Sequence, residues 1–176
     1  MHLRAAILEE HSREQVTRIV QWIGRDTGRI AALIDIFIRD EYRVVQRAAW
    51  IVSDVGRLHP ELMQPHIPGL VQRLEDKGTH IAVKRNVYRL MQYLELPEAV
   101  HAPLMNSCFA SLADPREALA VRAFAMSILA RLAGIYPEIG QELRLIIEDN
   151  LQHEAAPSFK SRARKVLQQL DKASGH

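Results

Sequence analysis

Five residues in the first 100 positions have side chains suited to a binding site. In sequence order they are Arg47, Trp50, Asp54, Arg89 and Tyr93. Aromatic rings stack on bases, and a guanidinium group holds a phosphate. If the helices that carry these residues lie side by side, two rings, one carboxylate and two guanidinium groups converge, and Asp54 becomes a weak candidate for a catalytic residue. A structural interpretation remains open, in which Trp50 packs and Asp54 pairs on the surface with Arg57 or Arg89.

An internal repeat of roughly 38 residues predicts the helices that position these side chains. Four apolar sets share the spacing i, i+4, i+7, i+8, i+11, which marks one face of an α-helix. The sets are Val44, Ala48, Ile51, Val52, Val55; Val83, Val87, Leu90, Met91, Leu94; Val121, Ala125, Ile128, Leu129, Leu132; and Phe159, Ala163, Val166, Leu167, Leu170. A weaker copy at Val16, Ile19, Val20 and Ile23 is displaced by 32 residues.

Capping residues and prolines predict where the intervening helices begin and end. Ser12 and Gln15 are spaced as a capping box, and Asp114 before Pro115 favours a helix that starts at Pro115. Pro65 and Pro68 are expected to delay or kink the helix that ends near residue 76. Because no stretch alternates cleanly with period 2, no strand is predicted.

These elements predict one all-α domain over residues 1–171. We expect about five antiparallel helix pairs and a flexible tail. The pairs are 2–24, 27–58, 61–95, 98–134 and 138–171, and the tail is 172–176. One such pair cannot bury its apolar stripe alone, so neighbouring copies must cover it.

The pattern resembles the HEAT repeat family. An Asp before the second helix is followed by Val and a basic residue: Asp76 with Val83-Lys84, and Asp114 with Val121-Arg122. The resemblance implies a right-handed α–α superhelix, or solenoid, whose second helices line a concave face. It also suggests that Lys84 and Arg122 pair with Asp76 and Asp114 as a structural ladder.

Charge is segregated between the two types of helix. The helices predicted at 79–95, 115–134 and 158–171 contain ten basic and three acidic residues, although the whole chain has a net charge of only +2. The candidate binding residues on their exposed faces are Arg47, Trp50, Arg85, Arg89, Tyr93, Arg131, Arg162 and Lys165. The six basic ones suit an anionic partner, or they form a solvated face whose stems cover apolar surface.

Composition excludes several other classes. Among 176 residues, 48% are hydrophobic and 25% are charged, which does not fit a disordered chain. A single cysteine, Cys108, fits a reducing cytoplasm, and neither a signal peptide nor a membrane-spanning apolar run is evident. The eight histidines form no zinc pattern, and no phosphate loop or dinucleotide fingerprint occurs. We therefore expect no metal, no cofactor and no membrane partner.

The sequence favours a non-catalytic binding module or scaffold that acts on another macromolecule, most simply another protein, through the concave face. The alternative is nucleic-acid binding or DNA-lesion processing, because alkylpurine DNA glycosylases are similar in outline: HEAT-like helices, a basic concave face, aromatic residues and an Asp. The sequence contains no motif that indicates an enzyme. If Phe159, Val166 and Leu167 on the last helix are exposed, they would favour dimerisation, but the rest of the chain could equally cover them. The oligomeric state stays open.

Overall fold

The computed structural model describes residues 1–76, 78–154 and 156–174, and in these ranges it contains helices and turns but no strand. The chain divides into two compact units, Met1–Val100 and His101–His176. The helices of the first unit are α1 (Leu3–Glu9), α2 (Arg13–Ile23), α3 (Thr27–Arg39), α4 (Tyr42–Leu58), α5 (Pro60–Met63), α6 (Ile67–Gln72) and α7 (Ile81–Met91). Those of the second are α8 (His101–Ala113), α9 (Leu119–Ala133), α10 (Gly140–His153) and α11 (Pro157–Ser174).

Helix α4 is the centre of the first unit. It packs against α3, its partner across a two-residue turn, and also against α1, α2, α5 and α7. Gly56 shows how closely α4 approaches α7, because a Cβ there would lie 2.6 Å from Cδ2 of Leu90. The second helices α2, α4 and α7 therefore form a continuous packed series within this unit.

Helix α9 has the same central role in the second unit. It packs against α8, α10 and α11, and α10 packs against α11. The predicted pairing of 98–134 and 138–171 appears here as α8 with α9 and α10 with α11.

The apolar sets of the repeat form the core. Every member of the sets that begin at Val44, Val83 and Val121 is buried, as are Val16, Ile19, Val20 and Ile23 of the weaker copy. In the last set, Leu167 is half-buried while the other members are buried. The all-α, HEAT-like fold is therefore confirmed, and the helical period alone located its buried face.

Several helix boundaries differ from the sequence-based expectation. Pro65 and Pro68 do break the predicted helix, since a 3₁₀ turn (Gln64–His66) separates α5 from α6. The predicted start at Pro115 is wrong: α9 begins at Leu119, and Asp114 instead accepts hydrogen bonds from the backbone N–H and side chain of Arg116. The predicted tail from residue 172 also begins inside α11, which continues to Ser174, while residues 175–176 lie outside the described part of the chain.

Candidate functional site

One face of α4 presents most of the predicted site residues. Arg47, Trp50 and Asp54 are three and four residues apart, so they share this face, while Val44, Ala48 and Ile51 are buried on the opposite side. Trp50 keeps 42% of its surface exposed, which is high for so large an apolar ring. The predicted convergence with α7 follows because α7 packs directly on α4.

A cavity of about 350 Å³ lies at this junction. Three predicted residues, Trp50, Asp54 and Arg89, line it, together with Arg13 and Ser53. The predicted meeting of a ring, a carboxylate and a guanidinium therefore occurs, and it is completed by Arg13 from the first turn of α2. We call these five residues the Trp50 cavity.

Arginine side chains surround the carboxylate of Asp54. Nη1 of Arg13 lies 2.8 Å from Oδ2 of Asp54, and Nη2 of Arg57 lies 3.9 Å from Oδ1. The surface pairing with Arg57 is thus confirmed, whereas Arg89 forms no ion pair with any described residue. Since Arg13 and Arg89 line the cavity with a single carboxylate, the lining carries a surplus of positive charge.

Two further aromatic residues interact with residues of the Trp50 cavity. The ring of His11, from the turn between α1 and α2, lies 4.9 Å from the Trp50 ring at an interplanar angle of 30°. Tyr93 is 47% exposed. Burial of its hydroxyl is the main factor that raises the pKa of Tyr93, while the positive charges of Arg89 and Arg57 lower it and Asp54 raises it. Tyr93 therefore lies within electrostatic reach of the same charged groups.

Ser53 contributes a hydroxyl to the cavity lining. The residue is only 7% exposed, and its Oγ has no hydrogen-bond partner among the described residues. Since buried polar groups are nearly always hydrogen-bonded, such an atom calls for an explanation. A residue of the cavity wall, Ser53, therefore carries a hydroxyl that the described residues leave unsatisfied.

Two predicted binding residues of the first unit lie outside this cavity. Nη1 of Arg47 donates a hydrogen bond to the carbonyl oxygen of Leu8 at 2.7 Å, so this half-buried side chain ties α4 to α1. Arg85 is exposed on α7 but is not among the described residues that line the Trp50 cavity. Arg47 is held by the fold, while Arg85 stays a surface cation.

The predicted binding residues of the second unit have different surroundings. Arg162 donates a hydrogen bond to Oγ of Ser127 at 2.8 Å, and its guanidinium lies 6.0 Å from the centre of the Phe124 ring. Arg131 is exposed, yet partial burial of its guanidinium lowers its pKa. Lys165 is exposed on α11. These three residues do not line the Trp50 cavity, which belongs wholly to the first unit.

The expected ladder between the repeat bases and the turn acids is wrong for Arg122. This side chain is 6% exposed and bonds to Glu154, at 3.1 Å, and to Asn150. Asp114 bonds to Arg116 instead, and Asp76 pairs with Arg73 in the turn after α6. The repeat fixed the position of Arg122, but α10 and the turn after it supplied its partners.

Sequence reasoning missed Arg13, His11 and Ser53. A signal for Arg13 was available. Shifting the weaker copy by 32 residues aligns Arg13 with position 45, and the later repeats carry Lys84 and Arg122 at that position. His11 precedes α2 and lies outside the positions that the repeats share. Ser53 occupies a position whose importance depends on the cavity that forms beside it.

Of the two alternatives for the apolar stripe of the last helix, the structure shows internal covering. Phe159 and Val166 are 1% and 4% exposed, and Leu167 is half-buried. The exposed large apolar residues of this unit are Ile135 and Leu145 instead. Packing of α11 against α9 and α10 covers this stripe.

The fold and the open, charged cavity place this chain among helical repeat proteins that present surfaces for binding. Its sequence matches the HEAT repeat domain over residues 3–170, so the chain belongs to the HEAT repeat family. The HEAT resemblance carried by Asp76, Val83-Lys84, Asp114 and Val121-Arg122 is thus confirmed. No curated protein and no solved structure matches the chain.

Two searches of the described residues bear on other classes of site. None of the helices there combines the length and apolar character that crossing a membrane requires. No group of three or more His, Cys, Asp or Glu side chains within residues 1–76, 78–154 and 156–174 is arranged to hold a metal ion.

Proposed function

We propose that this chain is a non-catalytic binding module that holds another protein on the exposed faces of α4 and α7. The observation that carries the proposal is the exposed Trp50 ring, which lines one cavity together with Arg89. Tyr93, a second exposed ring, lies within electrostatic reach of Arg89. Aromatic side chains and Arg are the residues that most often dominate the binding energy of an interface. HEAT repeats in general support such a role, since their stacked helices form extended binding surfaces.

Rigidity of the supporting helices favours this function. Trp50 and Arg89 project from α4 and α7, whose opposite faces are fully packed. Side chains held on packed helices lose less conformational entropy when they bind than side chains on mobile loops. The same packing makes the surface testable, because exposed residues can be changed with little effect on the core.

A two-variant comparison tests the proposal. The chain carrying Trp50→Ala and Arg89→Glu should lose a partner that the unchanged chain retains from a nuclease-treated cell extract. The control, Arg39→Glu, alters an exposed arginine of α3, which forms an ion pair with Asp35 in the same helix. Equal retention of the partner by all three proteins contradicts the assignment to α4 and α7.

The second candidate function is nucleic-acid binding, and the surplus positive charge beside an exposed ring favours it. Arg13 and Arg57 lie beside the carboxylate of Asp54, Arg89 lines the same cavity, and Trp50 offers a stacking surface. A DNA-lesion-processing version of this function would assign the catalytic role to Asp54. In that case Asp54→Asn should remove base-excision activity. Absence of this activity from the unchanged chain contradicts a role in lesion processing.

Fluorescence anisotropy separates the two candidate functions. Labelled single- and double-stranded DNA and RNA are titrated at low and near-physiological salt, with heparin as a polyanion control. Nucleic-acid binding predicts a preference over heparin and a loss on charge reversal at Arg89 and Arg131. Each lost phosphate contact should reduce the salt slope for duplex DNA by roughly 0.9 log units. Binding that heparin matches, or that both reversals leave unchanged, favours the protein partner.

A further inference from the structure

We propose that the Trp50 cavity binds a phosphate group attached to a planar ring, as in a nucleotide, with Arg13 and Arg89 as the phosphate ligands. The proposal rests on the nucleic-acid function described above, and it assigns that function to one cavity and one chemical group. Arg13 shares its repeat position with Lys84 and Arg122, but only the structure places it at the cavity.

Charge balance is the first argument. Two arginines elsewhere are outnumbered by acids: Arg4 contacts Asp40 and Glu41, and Arg144 contacts Glu148 and Asp171. At the Trp50 cavity the ratio is reversed, because two arginines, Arg13 and Arg89, line it with one carboxylate, that of Asp54. A fixed surplus of positive charge beside a cavity attracts an anion.

The exposure of the two ligands is the second argument. The Arg13 side chain keeps 65% of its surface exposed while one of its nitrogens is 2.8 Å from Asp54. A guanidinium has five N–H donors, so the ion pair with Asp54 orients Arg13 at the cavity and leaves donors for a ligand. Arg89 lines the same cavity, is exposed, and forms no ion pair with any described residue. Arginine binds phosphate with parallel hydrogen bonds, which suits both residues.

The ring and the hydroxyl of the lining are the third argument. Trp50 lines the cavity with 42% of its surface exposed, even though His11 stacks against it. Ser53 also lines the cavity, and its Oγ lacks a hydrogen-bond partner among the described residues. The volume of about 350 Å³ falls within the range of small-ligand sites. A phosphate alone uses the two arginines, whereas a nucleotide also uses the indole ring.

Isothermal titration calorimetry with three probes tests the proposal: adenosine monophosphate, adenosine and inorganic phosphate. The unchanged chain should bind adenosine monophosphate more tightly than either fragment. Arg13→Gln and Arg89→Gln should each weaken this binding by roughly tenfold, as loss of a charge-assisted hydrogen bond predicts. Trp50→Leu should reduce the affinity for adenosine monophosphate toward that for inorganic phosphate. Circular dichroism verifies that each variant is folded.

Arg164→Gln is the matched control, because it removes one exposed positive charge from α11 in the other unit. An equal loss of affinity in this variant would falsify the cavity assignment, since it would show a general effect of net charge. Failure of the unchanged chain to bind adenosine monophosphate, or binding of adenosine with equal affinity, also overturns the proposal.

A fourth probe, a single-stranded decanucleotide, separates the two sources of the phosphate. If Arg13→Gln weakens binding of both the decanucleotide and adenosine monophosphate, the cavity and the nucleic-acid function stand together. If only adenosine monophosphate binds, the cavity takes a free nucleotide and the nucleic-acid function fails. If the decanucleotide binds and neither arginine variant affects it, the nucleic-acid function survives and the cavity proposal is overturned.

Discussion

Arg13 and Arg122 occupy equivalent positions of the repeat, yet their surroundings are opposite. Arg122, in the second unit, is 6% exposed and bonds to Glu154 and Asn150, with the Phe159 ring 5.0 Å from its guanidinium carbon. The side chain of Arg13, in the first unit, is 65% exposed and pairs with Asp54 at the edge of a cavity. The same repeat position thus supports a buried structural contact in one unit and an open charged site in the other.

The difference shows that a repeat specifies where a cation lies but not what it does. Helices α10 and α11 enclose Arg122, because Asn150 and Phe159 supply polar and aromatic contacts around its charge. A buried charge needs such partners, since an unpaired one is strongly destabilising. Arg13 is solvated and therefore needs fewer partners, which leaves it able to bind a ligand.

The largest expected effect is the loss of stability on removal of Arg122. Arg122→Met leaves Glu154 and the buried Asn150 without this partner and should reduce the free energy of unfolding by about 2–4 kcal/mol. Urea denaturation measures the change. Arg162→Gln, which removes a half-buried hydrogen bond to Ser127, is the control and should cost about 1 kcal/mol. A loss below that of the control contradicts the structural role of Arg122.

A smaller effect is expected when the open cluster loses its carboxylate. Asp54→Ala removes the ion pairs with Arg13 and Arg57, but both arginines remain in water. The free energy of unfolding should fall by about 1 kcal/mol, because pairs with an exposed partner contribute little. The same denaturation series measures it. A loss as large as that of Arg122→Met removes the distinction between the buried and the open cluster.

The smallest effect concerns the part-buried ion pair of Arg4 and Asp40. The hydrogen bond from Arg4 is the largest of the factors that hold the pKa of Asp40 below its usual value. Because the pKa is lowered in the folded state, the resulting stability is present above the unfolded pKa of about 4 and is lost as the pH falls through the lowered value.

Melting temperatures of the unchanged chain and of Arg4→Gln, measured from pH 7 to pH 2, test this dependence. The unchanged chain should melt slightly higher at neutral pH, and the difference should shrink in acid as Asp40 becomes protonated. A difference that stays constant across the whole range shows that the pair does not contribute through this ionisation.

Most of the fold was predictable from the apolar period. Val44, Val87 and Ile128 lie in columns that the sequence placed on one helix face, and all three are buried. The start of α9 was not predictable from Asp114, because a cap residue before proline fits a turn as well as a helix start. There Asp114 bonds to Arg116, and the helix begins at Leu119.

The candidate site was predictable only in part. Trp50, Asp54 and Arg89 meet because α4 packs on α7, as the repeat implied. Arg13 and His11 come from the irregular first pair, where the repeat spacing shortens, and their place beside Trp50 depends on how α2 packs against α4. Packing of helices in three dimensions thus brings together residues that the repeat alignment does not relate to one another.

Local spacing was enough to predict the helices, their buried faces and the family of this protein, because helix formation and apolar burial depend on neighbours along the chain. Which charges are buried and which remain open depends instead on how distant helices pack. Arg47 bonds to Leu8, Arg122 is enclosed by α10 and α11, and Arg13 stays at a cavity. The physical reason is that the cost or use of a charge depends on solvent and partners contributed by distant segments.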